Sequence, residues 1–209
     1  MDMTSPLTSV LPSAHGPVIA VLVRAGEPLT GRRVAELTSP QVSQTQTATV
    51  LRSLAEAGLV SVTPAGTANL YSINREHLLY EGLHELVTAK ERLWARMTEL
   101  ATGWTSPPVA VVVFGSAARG DGSTTSDIDV LVVRPAEVDD DDPAWQEGLS
   151  ALVAQVRRWT GNNVDLLSCS PHELESMAER GETLLTNIRT DGRFLIGNRS
   201  SVPSPKGSA

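Results

Sequence analysis

The sequence predicts an α+β protein in two parts, and three observations carry that prediction. The first is charge. Residues 1–75 hold five Arg and no Lys against four acids, whereas residues 76–209 hold twelve bases against twenty acids. A split of this kind separates domains with different surroundings. The second is the pair of charge-free runs "VAVVVF" (109–114) and "VLVV" (130–133), which read as buried strands with helical patterns after them. The third is the order of patterns in residues 17–74: helical spacing first, then alternation of apolar and polar residues around Pro64 to Gly66.

A chain of 209 residues holds one large domain or two small ones. Only 4% of the residues are aromatic, so aliphatic side chains must fill the core. The single cysteine, Cys169, excludes an internal disulfide framework and suits a reducing compartment. No apolar run approaches the length that spans a bilayer, about 18 residues or more. The opening "MDMTSPLTSVLPSAHG" carries an acid and no basic region, unlike a signal peptide. A cytoplasmic protein is expected, with a flexible N-terminus over 1–15 and a polar, disordered tail over 198–209.

The first part takes residues 16–75. Residues 17–38 read as a helix, a turn around Gly26 to Pro28, and a second short helix. Residues 43–60 read as a third helix, capped by Ser43, striped by Val50, Leu51 and Leu54, and stopped by Gly58. A hairpin over 59–74 follows. Three helices and a hairpin resemble a winged helix-turn-helix domain, and "SQTQTATVLRSLAEAGLV" (43–60) resembles the recognition helix of bacterial regulators of the MarR and ArsR kind. The resemblance implies double-stranded DNA as a partner. Gln44, Thr45, Gln46 and Thr49 are then candidates for base edges, and Arg32, Arg33 and Arg52 for phosphates. The wing departs from the pattern, with no Lys or Arg between Ser61 and Asn74. The other reading of this domain is dimerisation or scaffolding. A homodimer would present two such helices to successive half-sites.

Residues 75–104 predict one long amphipathic linker helix, with Leu78, Leu79, Leu83, Leu86, Val87, Leu93, Trp94, Met97 and Leu100 near one stripe. His77 and His84, seven apart, share a face but lack a third ligand and read as surface or packing residues. The acidic run "EVDDDD" (137–142) has neither a turn glycine nor a regular ligand spacing and reads as a solvated loop.

The second part takes residues 105–197. Strands are expected at "PVAVVVF", "SDIDVLVV", "NVDLLS" and "RFLI", with a helix over 145–161 and one or two helices over 171–197. Two aspartates interrupt this apolar pattern. Successive strand side chains alternate in direction, so Asp127 and Asp129 project together while Ile128 turns to the core. A third acid, Asp165, sits between Val164 and Leu166. Bare carboxylates in apolar strands cost free energy unless something binds them. Three such acids on neighbouring strands make a Mg²⁺ site credible. Ahead of them, Gly115 permits a tight turn, and Ser116 offers a hydroxyl and backbone N–H groups that suit phosphate oxygens. Metal and phosphate together point to phosphoryl or nucleotidyl transfer.

Gly115-Ser116, ten residues, then Asp127-Ile128-Asp129 resembles the signature of minimal nucleotidyltransferases of the polymerase β superfamily, over about residues 107–197. The resemblance implies that Gly115 and Ser116 hold the triphosphate of ATP or another NTP, that Asp127 and Asp129 bind Mg²⁺, and that Asp165 is the third acid, helping to activate the attacking group. Relatives often carry a basic residue directly after the Gly-Ser pair. Here that place is Ala117, and Arg119 is the nearby cation.

The whole chain is thus read as a winged helix-turn-helix joined by a long helix to a small polymerase β-like α/β domain with a mixed sheet. The expected function is Mg²⁺-dependent transfer of NMP, AMP first, from NTP to an acceptor. Because such enzymes often act as antitoxins, a separately encoded HEPN-type toxin is the expected protein acceptor, with the first domain controlling the protein's own promoter. The alternative is a winged-helix regulator whose second domain senses nucleotide without turnover. A small-molecule acceptor is the weakest option.

Overall fold

The computed structural model describes residues 1–122 and 126–205. The chain divides into two bodies: Thr4–Lys90 with Asp2, and Glu91 onward with Met1 and Met3. The fold is α+β, with one all-antiparallel sheet and one mixed sheet among the described residues.

In the first body α1 (His15–Arg24), β1 (Leu29–Thr30), α2 (Gly31–Thr38) and α3 (Gln44–Glu56) precede a hairpin of β2 (Val60–Ala65) and β3 (Ala68–Ile73), and α4 (Tyr80–Val87) closes the body. The sheet order is β1-β3-β2. Start signals in the sequence fix the helices. Thr30 Oγ1 accepts from the Arg33 amide at 3.2 Å and starts α2. Ser43 and Gln46 form a reciprocal capping box on α3. Gly58, at φ 76°, ends it in the left-handed conformation. Val18, Leu22, Val34, Val50, Leu51, Leu54 and Ile73 form the core. The strand β1, paired with Leu70 and Tyr71, falls where the sequence suggests only a turn. Two residues are too few to display a period.

The linker is not one helix. It breaks at Thr88 between α4 and α5 (Ala89–Thr102). Val87, Leu83 and Leu86 join the core of the first body, whereas Leu93, Trp94, Met97 and Ala101 join that of the second. One stripe therefore serves two cores. Leu78 and Leu79 belong to neither: they precede α4 and are exposed.

In the second body β4 (Ala110–Phe114), α6 (Gly115–Arg119), β5 (Ile128–Val133), α7 (Pro143–Thr160), β6 (Val164–Cys169), α8 (Pro171–Glu179), α9 (Thr183–Asp191) and β7 (Arg193–Ile196) follow in order. The sheet runs β6-β5-β4-β7, parallel between β5 and β6 and antiparallel elsewhere. Ile128, Val130 and Val132 pack with Trp145, Leu152 and Val156 on one face. Leu131 and Val133 pack with Leu174, Leu185 and Ile188 on the other. Among the described residues no helix is long and apolar enough to cross a membrane.

Both expected loose ends are anchored. Met3 is fully buried in the second body's core, and Leu7 is fully buried in the first body's. Residues 199–201 form a short 3-10 turn, and Val202 is fully buried beside Leu185 and Ile188. The Arg189 guanidinium donates to the carbonyls of Arg199 and Val202. Residues 206–209 of the expected tail lie outside the described residues.

Candidate active site

The sheet collects the predicted acids. β5 lies between β4 and β6. Its Asp129 stands opposite Phe114 of β4 on one side and opposite Asp165 of β6 on the other. Residues directly opposite point to the same face, and neighbouring strands lie about 4.7–4.9 Å apart. Asp129 and Asp165 are therefore adjacent on the face of Leu131 and Val133, at its end. Asp127, exposed, immediately precedes β5.

The electrostatics agree with this grouping. Burial, first, and the negative charges of Asp165 and Asp127, next, raise the Asp129 carboxyl above the ordinary aspartate range, with Arg119 opposing them. Arg119 also pairs with Asp121 at 3.2 Å, an exposed ion pair.

Gly115 and Ser116 come to the same place because Phe114, opposite Asp129, leads straight into α6. Gly115 has φ 65°, and a Cβ there would lie 2.1 Å from Asp129 Oδ2. No side chain fits. The Ser116 carbonyl accepts from the amides of Gly120 at 2.9 Å and Asp121 at 3.2 Å, which closes the C-terminal end of α6. The departure at Ala117 has a structural reason: this residue is buried in the apolar cluster with Ile128 and Val130, where a basic side chain would be desolvated.

Among the described residues no group of three or more His, Cys, Asp or Glu side chains stands ready to hold a metal ion. The donors nevertheless fit Mg²⁺. They are all hard carboxylate oxygens, and Mg²⁺ usually takes one or two of these and completes its shell with water and substrate phosphates. The mutual repulsion recorded at Asp129 is what a divalent cation relieves. Asp127 and Asp129 would hold it, with Asp165 beside them.

The DNA candidates also occupy defined places. Gln44, Thr45, Gln46, Thr49 and Arg52 are exposed on α3. Gln46 is committed in part to the capping box, its Oε1 accepting from the Ser43 amide at 3.2 Å. Arg32 and Arg33 both pair with Glu36, at 3.1 and 3.2 Å. These guanidiniums, Arg33 first, hold the Glu36 carboxyl below its ordinary range. An open concavity of about 690 Å³ lies where α2 turns into α3, lined by Arg32, Glu36, Ser43 and Gln44 among others.

Cys169 is free and buried, and burial above all pushes its thiol up to about 11, with Glu173 adding to the effect. His172 is exposed. The acidic loop has structural uses the sequence reading missed: Asp140 pairs with Arg134 at 3.2 Å. Asp142 caps α7, accepting from the Trp145 amide at 2.9 Å. The Asp-Pro pair at 142–143 is the signal that could have revealed it.

Among solved structures, the chain resembles a toxin–antitoxin determined with AMP-PNP, at 21% identity and a TM-score of 0.37, over 51% of this chain and 75% of that one. It also resembles a protein from Sulfolobus solfataricus assigned as a nucleotidyltransferase, at 23% identity and a TM-score of 0.28, over 51% of this chain and 85% of that one. A third likeness is to TrmBL2, an archaeal chromatin protein with a described mode of DNA binding, at 17% identity and a TM-score of 0.30, over 88% of this chain and 76% of that one. No curated protein matches the chain. Residues 95–185, from α5 to the start of α9, match the family model described as "Nucleotidyltransferase domain". That matched span contains Gly115, Ser116, Asp127, Asp129 and Asp165.

Proposed function

We propose that the second body transfers a nucleoside monophosphate, AMP first, from a nucleoside triphosphate to a hydroxyl of a separate protein. The observation that carries this reading is the packing of Gly115 against the Asp129 carboxylate, with Asp165 directly opposite Asp129 on the next strand. A turn with no side chain thus packs against one acid, which has a second acid directly opposite it on the next strand.

Mg²⁺ bound at Asp127 and Asp129 would neutralise charge on the phosphates and on the departing pyrophosphate. The protein's own residues do the rest. Gly115 and Ser116 hold the triphosphate with backbone and hydroxyl donors, and Arg119 adds a cation. Asp165 orients the acceptor hydroxyl and takes its proton. The bond formed joins the acceptor oxygen to the α-phosphorus, and the bond broken joins that phosphorus to the oxygen bridging to the β-phosphorus. Pyrophosphate leaves with that electron pair, and the proton passes from Asp165 to solvent. A toxin of the HEPN type, encoded separately, is the acceptor favoured by the resemblance to minimal nucleotidyltransferases.

We infer for the first body a weak hold on double-stranded DNA through the exposed face of α3. Its exposed Gln44, Thr45, Thr49 and Arg52 support this reading, and a homodimer would supply the missing affinity.

The test is to incubate the protein with α-labelled ATP, Mg²⁺ and a cell extract or the neighbouring gene product. A labelled protein band that requires Asp129 is expected. Binding of ATP with no transfer to any protein or small molecule would leave nucleotide sensing as the better account.

A further inference from the structure

Asp127 lies outside the ladder that holds Asp129. β5 begins at Ile128, so no strand pairing fixes residue 127. Yet the backbone on either side of it is tied down, and both ties come from the same turn. The Ile128 amide donates to the Asn163 carbonyl at 2.9 Å. The Ser126 carbonyl accepts from Asn162 Nδ2 at 3.0 Å. Asp127 is bracketed between them.

The turn is itself well determined. Gly161, at φ 76°, ends α7. Asn162 follows and is buried, 3% exposed. Its amide donates to Thr160 Oγ1 at 3.1 Å. Its Oδ1 accepts from the Met1 amino group at 2.8 Å. Because the Met1 nitrogen is a donor and takes the oxygen, the nitrogen of the same carboxamide must face Ser126, and the two contacts fix one orientation. The Met3 Cβ lies 3.5 Å from where a Cβ on Gly122 would stand, and Met3 is buried in the cluster that holds Ala117 and Ile128.

We propose that Asn162 is a positioning residue that sets Asp127 for metal–nucleotide binding, acting through the Ser126 carbonyl. The proposal rests on the nucleotidyl-transfer reading of the site. The Asn162 tie is made by a side chain, so it can be changed without touching a metal ligand. Asn162→Asp is close to isosteric. It keeps the acceptor for Met1 and turns a second acceptor against the Ser126 carbonyl. The added negative charge would attract Mg²⁺ but repel Mg–ATP, itself a net anion, so a loss in this variant counts for position only where the uncharged variant shows it too. Asn162→Ala removes both contacts without adding charge. Residues that orient metal ligands typically contribute about 10–100-fold to metal affinity.

The experiment uses the full chain. Calorimetric titration with ATP is run in Mg²⁺ and again in EDTA, on wild type, Asn162→Asp, Asn162→Ala and Asp129→Asn, with thermal melts of each metal-free protein. Amide hydrogen exchange over residues 126–129 is measured in parallel. Both Asn162 variants should lose about tenfold or more of the Mg²⁺-dependent affinity. Their weak binding in EDTA should stay as in wild type, and residues 126–129 should exchange faster. A variant that melts as wild type and binds Mg–ATP as wild type overturns the positioning role alone. A loss of binding equal in Mg²⁺ and EDTA means general damage and also overturns it. Wild type that takes up Mg–ATP no better than Asp129→Asn removes the site reading, and the proposal with it.

Discussion

Gly115 and Asp129 are in contact across the β4–β5 ladder so closely that a Cβ on Gly115 would fall 2.1 Å from Asp129 Oδ2. The turn and the carboxylate are one unit. Gly115 also has φ 65°, a conformation that costs other residues about 1–2 kcal/mol. Gly115→Ala should therefore lower stability by at least that amount and push the Asp129 side chain out of place. A melt should record the first effect. Calorimetry with Mg–ATP should record the second as lost binding in protein that remains folded. Binding at wild-type affinity would separate the turn from the metal site.

Asp129 also predicts a pH dependence. Its folded-state carboxyl titrates above the ordinary range, because burial and the charges of Asp165 and Asp127 oppose ionisation. The folded state then holds the proton more tightly than the unfolded one. This contribution is fully present below the unfolded pKa and is lost as pH rises through the folded value. The metal-free protein should accordingly gain stability on mild acidification from neutral pH. Asp129→Asn should remove that gain and melt higher than wild type at pH 7. Mg²⁺ at pH 7 should stabilise wild type and not the variant. The check is a series of melts from pH 4 to 7.5, with and without Mg²⁺. A variant less stable than wild type at pH 7 without metal contradicts the assignment.

Much of this site was legible in the sequence because carboxylates in apolar strands are conspicuous. Asp129 and Asp165 each break a run of aliphatic residues, whereas the period-two argument that set Asp127 beside Asp129 does not reach Asp127, because the strand begins one residue later, at Ile128. The sequence did not contain their register. That Asp129 faces Asp165 depends on how α7 returns the chain to a parallel strand, which no local pattern encodes. Single buried residues in polar segments were equally invisible. Met3 and Val202 stand in short polar, Ser- and Pro-containing segments with no sustained helical or strand period, so the segments around them read as loose. The break at Thr88 was hidden because one continuous stripe feeds two cores. Asn162 escaped notice since its use lies in one hydrogen bond to a residue 36 positions away.

The pairing of Arg32 and Arg33 with Glu36 makes the DNA reading testable from the protein side. A phosphate near α2 must compete with that carboxylate. Glu36→Gln should release both guanidiniums, tighten binding to promoter DNA at low salt and steepen the salt dependence. Each additional phosphate contact should change the slope of log K against log salt by about 0.9. Arg32→Ala and Arg52→Ala should weaken binding and flatten the slope. The fold should tolerate all three, since pairs this exposed contribute little to stability. Mobility shifts over a salt series are the measurement. Equal affinity for Glu36→Gln and wild type places the phosphates elsewhere, and no shift by any of the proteins at low salt leaves the first body a scaffold.

Asp165 carries the chemical prediction. It faces Asp129 across the parallel β5–β6 pair yet is itself exposed, so it can meet both the cation side of the site and an incoming acceptor. If its role is to orient the acceptor hydroxyl and take the proton as the oxygen–phosphorus bond forms, that role is realised mainly in the transition state. Asp165→Asn keeps the size and a hydrogen-bonding oxygen but loses the capacity to accept the proton. Mg–ATP affinity should stay within a few-fold of wild type, whereas transfer of labelled AMP should fall by about 10²-fold or more. Asp129→Asn should behave differently and lose binding and transfer together. Calorimetry combined with the labelling assay separates the two patterns. If Asp165→Asn labels the acceptor as fast as wild type, the proton goes elsewhere. If it loses Mg–ATP binding as fully as Asp129→Asn, Asp165 serves as a metal ligand in place of a base.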